Sequence, residues 1–172
     1  MPTIKDVQQI YTAGFNLEDV KITLERDLKI NVGGIKIDGR QGEIITIPRW
    51  AALVLENEKH CVIQETNMII ELKQALGKEN ALNEYELATL EDSFYIKLNA
   101  YIERLKKDEQ KTAKDMLNTL FRIRHGKLVR LADSSPLTAD LSKRMTVEEK
   151  IYHDKIYSES HNFTERVMGE SS

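Results

Sequence analysis

The chain has 172 residues, 41% hydrophobic and 31% charged, with a net charge of −3 at pH 7. That length suits one domain or two small ones, and the mixture is apolar enough for a packed core. Net negative charge excludes a protein that coats nucleic acid through bulk positive charge, although a local basic patch is still compatible with it. Cys61 is the only cysteine, which excludes an intramolecular disulfide and a multi-cysteine zinc site. No apolar run approaches the ~20 residues that cross a bilayer. The segment Met1–Asp6 lacks the apolar core of a signal sequence. A cytoplasmic chain with no membrane association is expected.

Residues 3–13 are expected to form a short helix, with Ile4, Val7, Ile10 and Tyr11 on one face and Gly14 closing it. The period then changes. Val20, Ile22, Leu24, Leu28, Ile30 and Val32 all fall on even positions, and only Arg26 breaks the set. This is strand periodicity with one buried face, over two strands bent near Arg26-Asp27. Asn31-Val32-Gly33-Gly34 reads as a turn or bulge, after which Ile35 and Ile37 alternate on the opposite parity. Asp38–Gly42 is a second turn and Glu43–Ile47 a further strand. Pro48 suits a first helical turn, where its missing N–H costs nothing, so Trp50–Leu55 is predicted as a short apolar helix. His60–Ile63 is predicted as one more short strand.

From about residue 64 the pattern is helical. Ile69, Leu72 and Leu76 predict a helix with Gly77 as its C-cap. A long helix is predicted over 81–109, where Leu87, Leu90, Phe94, Leu98, Tyr101 and Leu105 step by 3, 4, 4, 3 and 4. Another is predicted over 111–133, with Met116, Leu117, Leu120, Ile123, Leu128 and Leu131 as its apolar positions and Gly126 inside it. Asp133-Ser134-Ser135-Pro136 stops it. After a loop over 134–145, Thr146-Val147-Glu148-Glu149 is a capping box that opens a last helix from 147 to about 163. Val147, Ile151, Ile156 and Phe163 are its candidate packing residues, and the tail from Met168 is expected to fray.

The composition shift near residue 62 marks the expected domain boundary: a small β-rich domain over 1–62 and an α-helical domain over 63–172. The predicted fold class is α+β, a predominantly α-helical bundle domain preceded by a small antiparallel β-rich domain. A unit of about 60 residues buries a marginal core alone, so it is expected to dock on the helical unit or on a partner.

Residues suited to chemistry are sparse. His153 and His161 are eight apart on the last predicted helix, about 12 Å at 1.5 Å per residue, too far to share a metal. His60 precedes Cys61, but neighbours in an extended segment point to opposite faces, so Cys61 reads as a small buried hydrophobe. Gly33-Gly34 and Gly39…Gly42 precede no helix in a phosphate-cradling pattern. No carboxylate is set apart from ordinary helix-surface charges. No catalytic residue, cofactor or metal site is expected, and the chain does not read as an enzyme.

Two constellations remain. Arg122, Arg124, His125, Lys127 and Arg130 lie together on the predicted third helix, and Arg124, Lys127 and Arg130 step by three. They would contact acidic residues of a partner, contact a nucleic-acid backbone, form a solvated face, or pair within the chain with acidic neighbouring helices. The alternative function is a nucleic-acid-binding module using this basic stripe; Phe121 is the only aromatic residue beside it, which weakens the single-strand-binding form of that reading. Phe94, Tyr95 and Tyr101 enrich the second long helix in aromatics, for the core or for a subunit interface. The candidate interface set is Phe94, Tyr95, Tyr101, Leu105, Leu120, Ile123, Arg124, Lys127 and Leu131. The candidate interdomain or core anchors are Pro48, Trp50, Leu53, Tyr152 and Ile156.

Two segments carry a resemblance. The first is Glu43-Ile44-Ile45-Thr46-Ile47-Pro48-Arg49-Trp50-Ala51-Ala52-Leu53-Val54-Leu55, followed by Glu58-Lys59-His60-Cys61-Val62-Ile63. The second is Leu120-Phe121-Arg122-Ile123-Arg124-His125-Gly126-Lys127-Leu128-Val129-Arg130-Leu131-Ala132, then Met145-Thr146-Val147-Glu148-Glu149 and Tyr152. In order and spacing they resemble the GINS family: a strand, a Pro-x-Trp-x-Ala helix and a polar link, then an Arg-x-x-Lys-Leu helix and a capped helix with a Tyr. The β-first layout and the short chain resemble the archaeal Gins-two/three type. That resemblance implies a noncatalytic replication scaffold with no cofactor. It implies a heterotetramer of two such chains with two of the reversed-order subunit, contacts to the MCM helicase and a RecJ-like partner, and weak or indirect DNA contact. An archaeal member would be cytoplasmic and nucleoid-associated.

Overall fold

The structure, a computed structural model, describes residues 3–169. The chain divides into two units, Ile10–Asn67 on one side and Met1–Gln9 with Met68–Ser172 on the other. Helix α1 (Ile4–Leu17) therefore belongs in part to each. It opens on a reciprocal cap, in which the Asp6 amide donates to the Thr3 hydroxyl and the Thr3 amide donates to the Asp6 carboxylate. The helix runs through Gly14, which lacks the positive φ of a terminator. Ile10, expected on an apolar face, is exposed. Phe15 gives the extra turn its anchor, with the Arg49 guanidinium 4.0 Å above its ring.

Alternation of apolar residues builds the β unit. Strands β1 (Asp19–Leu24), β2 (Leu28–Val32), β3 (Ile35–Gly39) and β4 (Ile44–Pro48) precede helix α2 (Arg49–Asn57) and strand β5 (Cys61–Gln64). β1 lies between β4 and β5 in an antiparallel sheet, and β2 with β3 forms a separate hairpin. Ile22 pairs across to Ile45 and Ile63. With Val20, Leu24 and Ile47 it covers Ala51, Ala52 and Leu55 of α2. The even-position alternation is therefore real burial. Pro48 sits one place earlier than its expected position: it ends β4 and caps α2 rather than occupying the first turn. Pro48, Trp50 and Leu53 are half-buried, the last two against this core. Strand β5 straddles residue 62, so the sheet runs past the composition shift.

Gly33-Gly34 is a turn and not a bulge. The register pairs Val32 with Ile35 and leaves the two glycines as a two-residue hairpin loop, both at positive φ (56° and 88°). That is the loop whose twist matches the flanking strands. Gly33 also lies under the Trp50 indole, where an added Cβ would come within 2.5 Å of a ring carbon.

In the helical unit, α3 (Met68–Ala81), α4 (Phe94–Glu103), α5 (Lys107–Ser134), the short α6 (Ala139–Ser142) and α7 (Val147–Met168) follow. Met68, Leu72, Phe94, Leu98, Ile102 and Leu120 form its main core. Each fully enclosed leucine contributes about 1.5–3 kcal/mol relative to exposure. Gly77 lies inside α3 and does not cap it. Gly126 does not interrupt α5. The predicted helix over 81–109 is wrong at both ends: residues 83–93 are irregular, helix begins at Phe94 and stops at Glu103, and Lys107–Glu109 already belong to α5. Leu87 and Leu90 are buried all the same. Thr146 opens α7 with the expected capping box, both reciprocal bonds being present. The helix continues five residues beyond 163 and ends on Gly169 in the left-handed conformation. Phe163 is exposed rather than packed. The tail beyond Gly169, expected to fray, lies outside the described residues.

Replacing Gly33 by Ala combines an unfavourable φ with the Trp50 contact, and is expected to destabilise the β unit by about 1–3 kcal/mol. Gly34 has open space at its Cβ, so Gly34→Ala should cost less. Urea denaturation followed by the fluorescence of Trp50 measures both.

Candidate functional site

Arg124 occupies a position of the apolar stripe of α5, four residues from Leu120 and four from Leu128. It is therefore carried into the interior and is fully enclosed. A buried guanidinium is tolerable only if its donors are satisfied and its charge is matched. Both conditions hold. Nε and one terminal nitrogen donate to the two oxygens of Glu149, each at 2.7 Å. The other terminal nitrogen donates to Glu79 Oε2 at 2.7 Å and to the Ala88 carbonyl at 2.8 Å. The fifth N–H reaches the Arg144 carbonyl at 3.0 Å. All five guanidinium donors are used.

The acceptors are themselves held. Glu79 Oε2 also accepts from the Ala88 amide, and Glu79 Oε1 lies 2.8 Å from Lys127 Nζ. Lys127 also donates to the Glu79 carbonyl. Glu149, the capping-box glutamate, accepts from the Thr146 amide and from the Tyr95 hydroxyl. Burial opposes the charge on Arg124, but the hydrogen bonds and charge of Glu149, with Tyr95 and Glu79, more than reverse this and raise its pKa. Burial, then the Glu149 charge, raises the Tyr95 pKa, so the phenol stays a donor.

Beside this network lies a cleft of about 470 Å³. It is lined by Leu117, Phe121 and Leu128 of α5, by Tyr95 of α4 and by Glu148, Glu149 and Tyr152 of α7. Tyr152 shares a 2.7 Å hydrogen bond with His125 Nε2.

Residues 67–168 match the GINS complex protein helical bundle domain. The chain belongs to the GINS family. It is a subunit of the GINS replication complex, and the network just described lies wholly inside the matched domain. Comparison with curated proteins returns no match. Among the described residues no group of three or more His, Cys, Asp or Glu side chains is placed to hold a metal, and no helix is long and apolar enough to cross a membrane.

The GINS bundle uses up much of the expected interface in its own interior. Phe94, Leu120, Arg124, Lys127 and Leu131 are buried, so they do not present a surface to a partner. A charge at the enclosed Leu120 would test the fold rather than an interface. Tyr95, Tyr101, Leu105 and Ile123 are half-buried. The basic stripe is split in the same way: Arg124 and Lys127 are neutralised inside, Arg130 reaches Glu84 at 3.5 Å, and Arg122 is exposed. Tyr152 lines the cleft and Ile156 is half-buried. Glu79, Glu148 and His153 were not legible as site residues, because a glutamate on a helix gives no sign of its burial. The available signal was Arg124 and Lys127 standing in phase with Leu117, Leu120, Leu128 and Leu131.

His153 of α7 is fully enclosed, and among the described residues neither ring nitrogen has a partner within hydrogen-bond distance, Asp154 Oδ1 lying 3.7 Å from Nδ1. Burial holds its pKa below the ordinary 6.5 against the opposing pull of Asp154. The unfolded chain then binds the proton more readily, so this contribution to stability is full above about pH 6.5 and is lost as pH falls below it. The midpoint of thermal unfolding should fall between pH 7 and pH 5, and His153→Leu should flatten that dependence. Arg124→Ala leaves the buried Glu149 carboxylate without a cation and Glu79 with Lys127 alone, and is expected to cost about 3–5 kcal/mol in urea denaturation. Arg124→Lys should not restore it, since an ammonium cannot reproduce the five-donor fork.

Proposed function

We propose that this chain is the β-first, archaeal Gins-two/three type of GINS subunit. It would join two chains of the reversed-order type in a 2:2 heterotetramer and act without catalysis as a scaffold. The complex would bind the MCM helicase and a RecJ-like partner and support fork unwinding in the cytoplasm, at the nucleoid. The observation that carries this reading is the order of the units: a small antiparallel β unit precedes the helical bundle that matches the family.

The physical chemistry of the chain suits such a role. Arg124, Lys127, Glu79 and Glu149, enclosed in the bundle, are used in structural ion pairs, and a structural ion pair needs no substrate. The nucleic-acid reading is disfavoured, because Arg124 and Lys127 of the basic stripe face carboxylates and not solvent. Contact with DNA would then be weak or indirect, left to exposed groups such as Arg122. Half-exposed side chains outside the ion-pair network, such as Tyr101, Leu105 and Ile123, are the better interface candidates.

Light-scattering mass after co-expression with a reversed-order GINS subunit tests the assignment. A complex of four chains is expected, and a lone monomer overturns the 2:2 reading. Tyr101→Glu is expected to lower that mass while leaving the far-ultraviolet dichroism of the chain unchanged, because Tyr101 packs only at the edge of the core.

A further inference from the structure

The charges that line the cleft do not balance. Arg124 lines it and is matched there by Glu149, while the Glu79–Lys127 pair lies outside the lining. Glu148 adds a second carboxylate to the lining. It is 9% exposed, and among the described residues no cation is paired with it. Its Oε1 accepts one long bond, 3.4 Å, from Gln8, and its Oε2 is buried with no hydrogen-bond partner. A buried carboxylate oxygen without a donor carries a desolvation penalty that a native structure normally avoids. One carboxylate with a single unsatisfied oxygen is too poor a ligand set for a hard cation, which takes six or more oxygens. It is well suited to a guanidinium or an ammonium.

The walls add a second requirement. Leu117 and Leu128 are apolar, Tyr152 presents a ring, and Phe121 stands 55% exposed at the cleft. A bare cation would leave that surface wet. A polypeptide segment carrying one basic side chain between apolar ones would cover it, because the long stem of Arg or Lys packs on apolar surface while its head stays polar.

We propose that this cleft is a docking site for a protein partner, which inserts an Arg or Lys side chain onto Glu148 and lays its flanking apolar residues against Phe121, Leu117 and Tyr152. The proposal rests on the scaffold reading for its choice of a protein as occupant. The geometry by itself specifies the cation and its apolar neighbours.

The test is amide NMR of the full chain titrated with an acetylated, amidated leucine–arginine–leucine tripeptide and with its citrulline counterpart, which keeps the shape and removes the charge. Shifts are expected along residues 117–128 and 147–152 with the arginine peptide. Binding should weaken about tenfold with citrulline, and by a similar factor for the arginine peptide in Glu148→Gln. A thermal midpoint for Glu148→Gln that is unchanged or raised shows that the loss is local. Equal binding of the two peptides, absence of shifts in the cleft, or indifference to Glu148→Gln overturns the proposal. Binding of N-acetylarginine amide as tightly as the tripeptide points to a free cation and overturns the protein-segment assignment. The two levels fail separately. Discrimination of arginine from citrulline without four-chain assembly would sink the family-derived partner set and leave the cleft standing. Assembly without discrimination would sink the cleft proposal alone.

Discussion

The helical unit is organised around a single guanidinium. Each of the five donors of Arg124 has an acceptor, and those acceptors come from α3, from the irregular segment 83–93, from the turn before α7 and from α7 itself. A charge left unmatched in the interior costs several kcal/mol. The elements that bring the acceptors therefore cannot drift independently. Hydrophobic packing of Leu72, Leu98 and Leu120 supplies the bulk of the driving force but little direction. The guanidinium adds direction, because a planar fork accepts partners only within a narrow range of angles.

The same interaction accounts for the break in the second long helix. The Ala88 amide donates to Glu79 and its carbonyl accepts from Arg124, while the Leu90 amide donates to the Arg144 carbonyl. Backbone groups that would close helical turns are satisfied sideways by side chains and by a neighbouring loop. Leu87 and Leu90 keep their place in the core from a non-helical backbone. Glu149 has a double duty: it completes the capping box of α7 and carries half of the charge match for Arg124. Helix initiation and core electrostatics are thus coupled in one side chain.

For a subunit of a larger complex, such an interior bears on function. A rigid interior lets the surface be specialised without loss of fold, and the residues left over from the core are the ones that can meet partners. In the β unit the same economy appears at the sheet edge, where the outward amide of Ile63 donates to Glu56 and is not offered to another strand. In the bundle, the leftover groups are half-exposed aromatics on α4 and α5 and a carboxylate that no internal cation satisfies.

Much of the architecture was legible in the residues alone. The even-position alternation from Val20 to Ile30, the Gly-Gly hairpin loop region, the capping box at Thr146 and the β-then-α order follow from periods and local chemistry that act over a few residues. The end of α3, the start of α4 and the length of α7 did not follow, because Gly77 and the 87–105 stripe are equally compatible with more than one local backbone. The burial of Arg124, Lys127, Glu79 and Glu149 was decided by tertiary structure alone. A glutamate on a helix is ordinary until a guanidinium from a helix 45 residues away in sequence arrives beside it. Local sequence determined which segments could be strands or helices and which faces were apolar. The long-range requirement to pair every buried charge determined which polar residues went inside and where the backbone had to leave the helix.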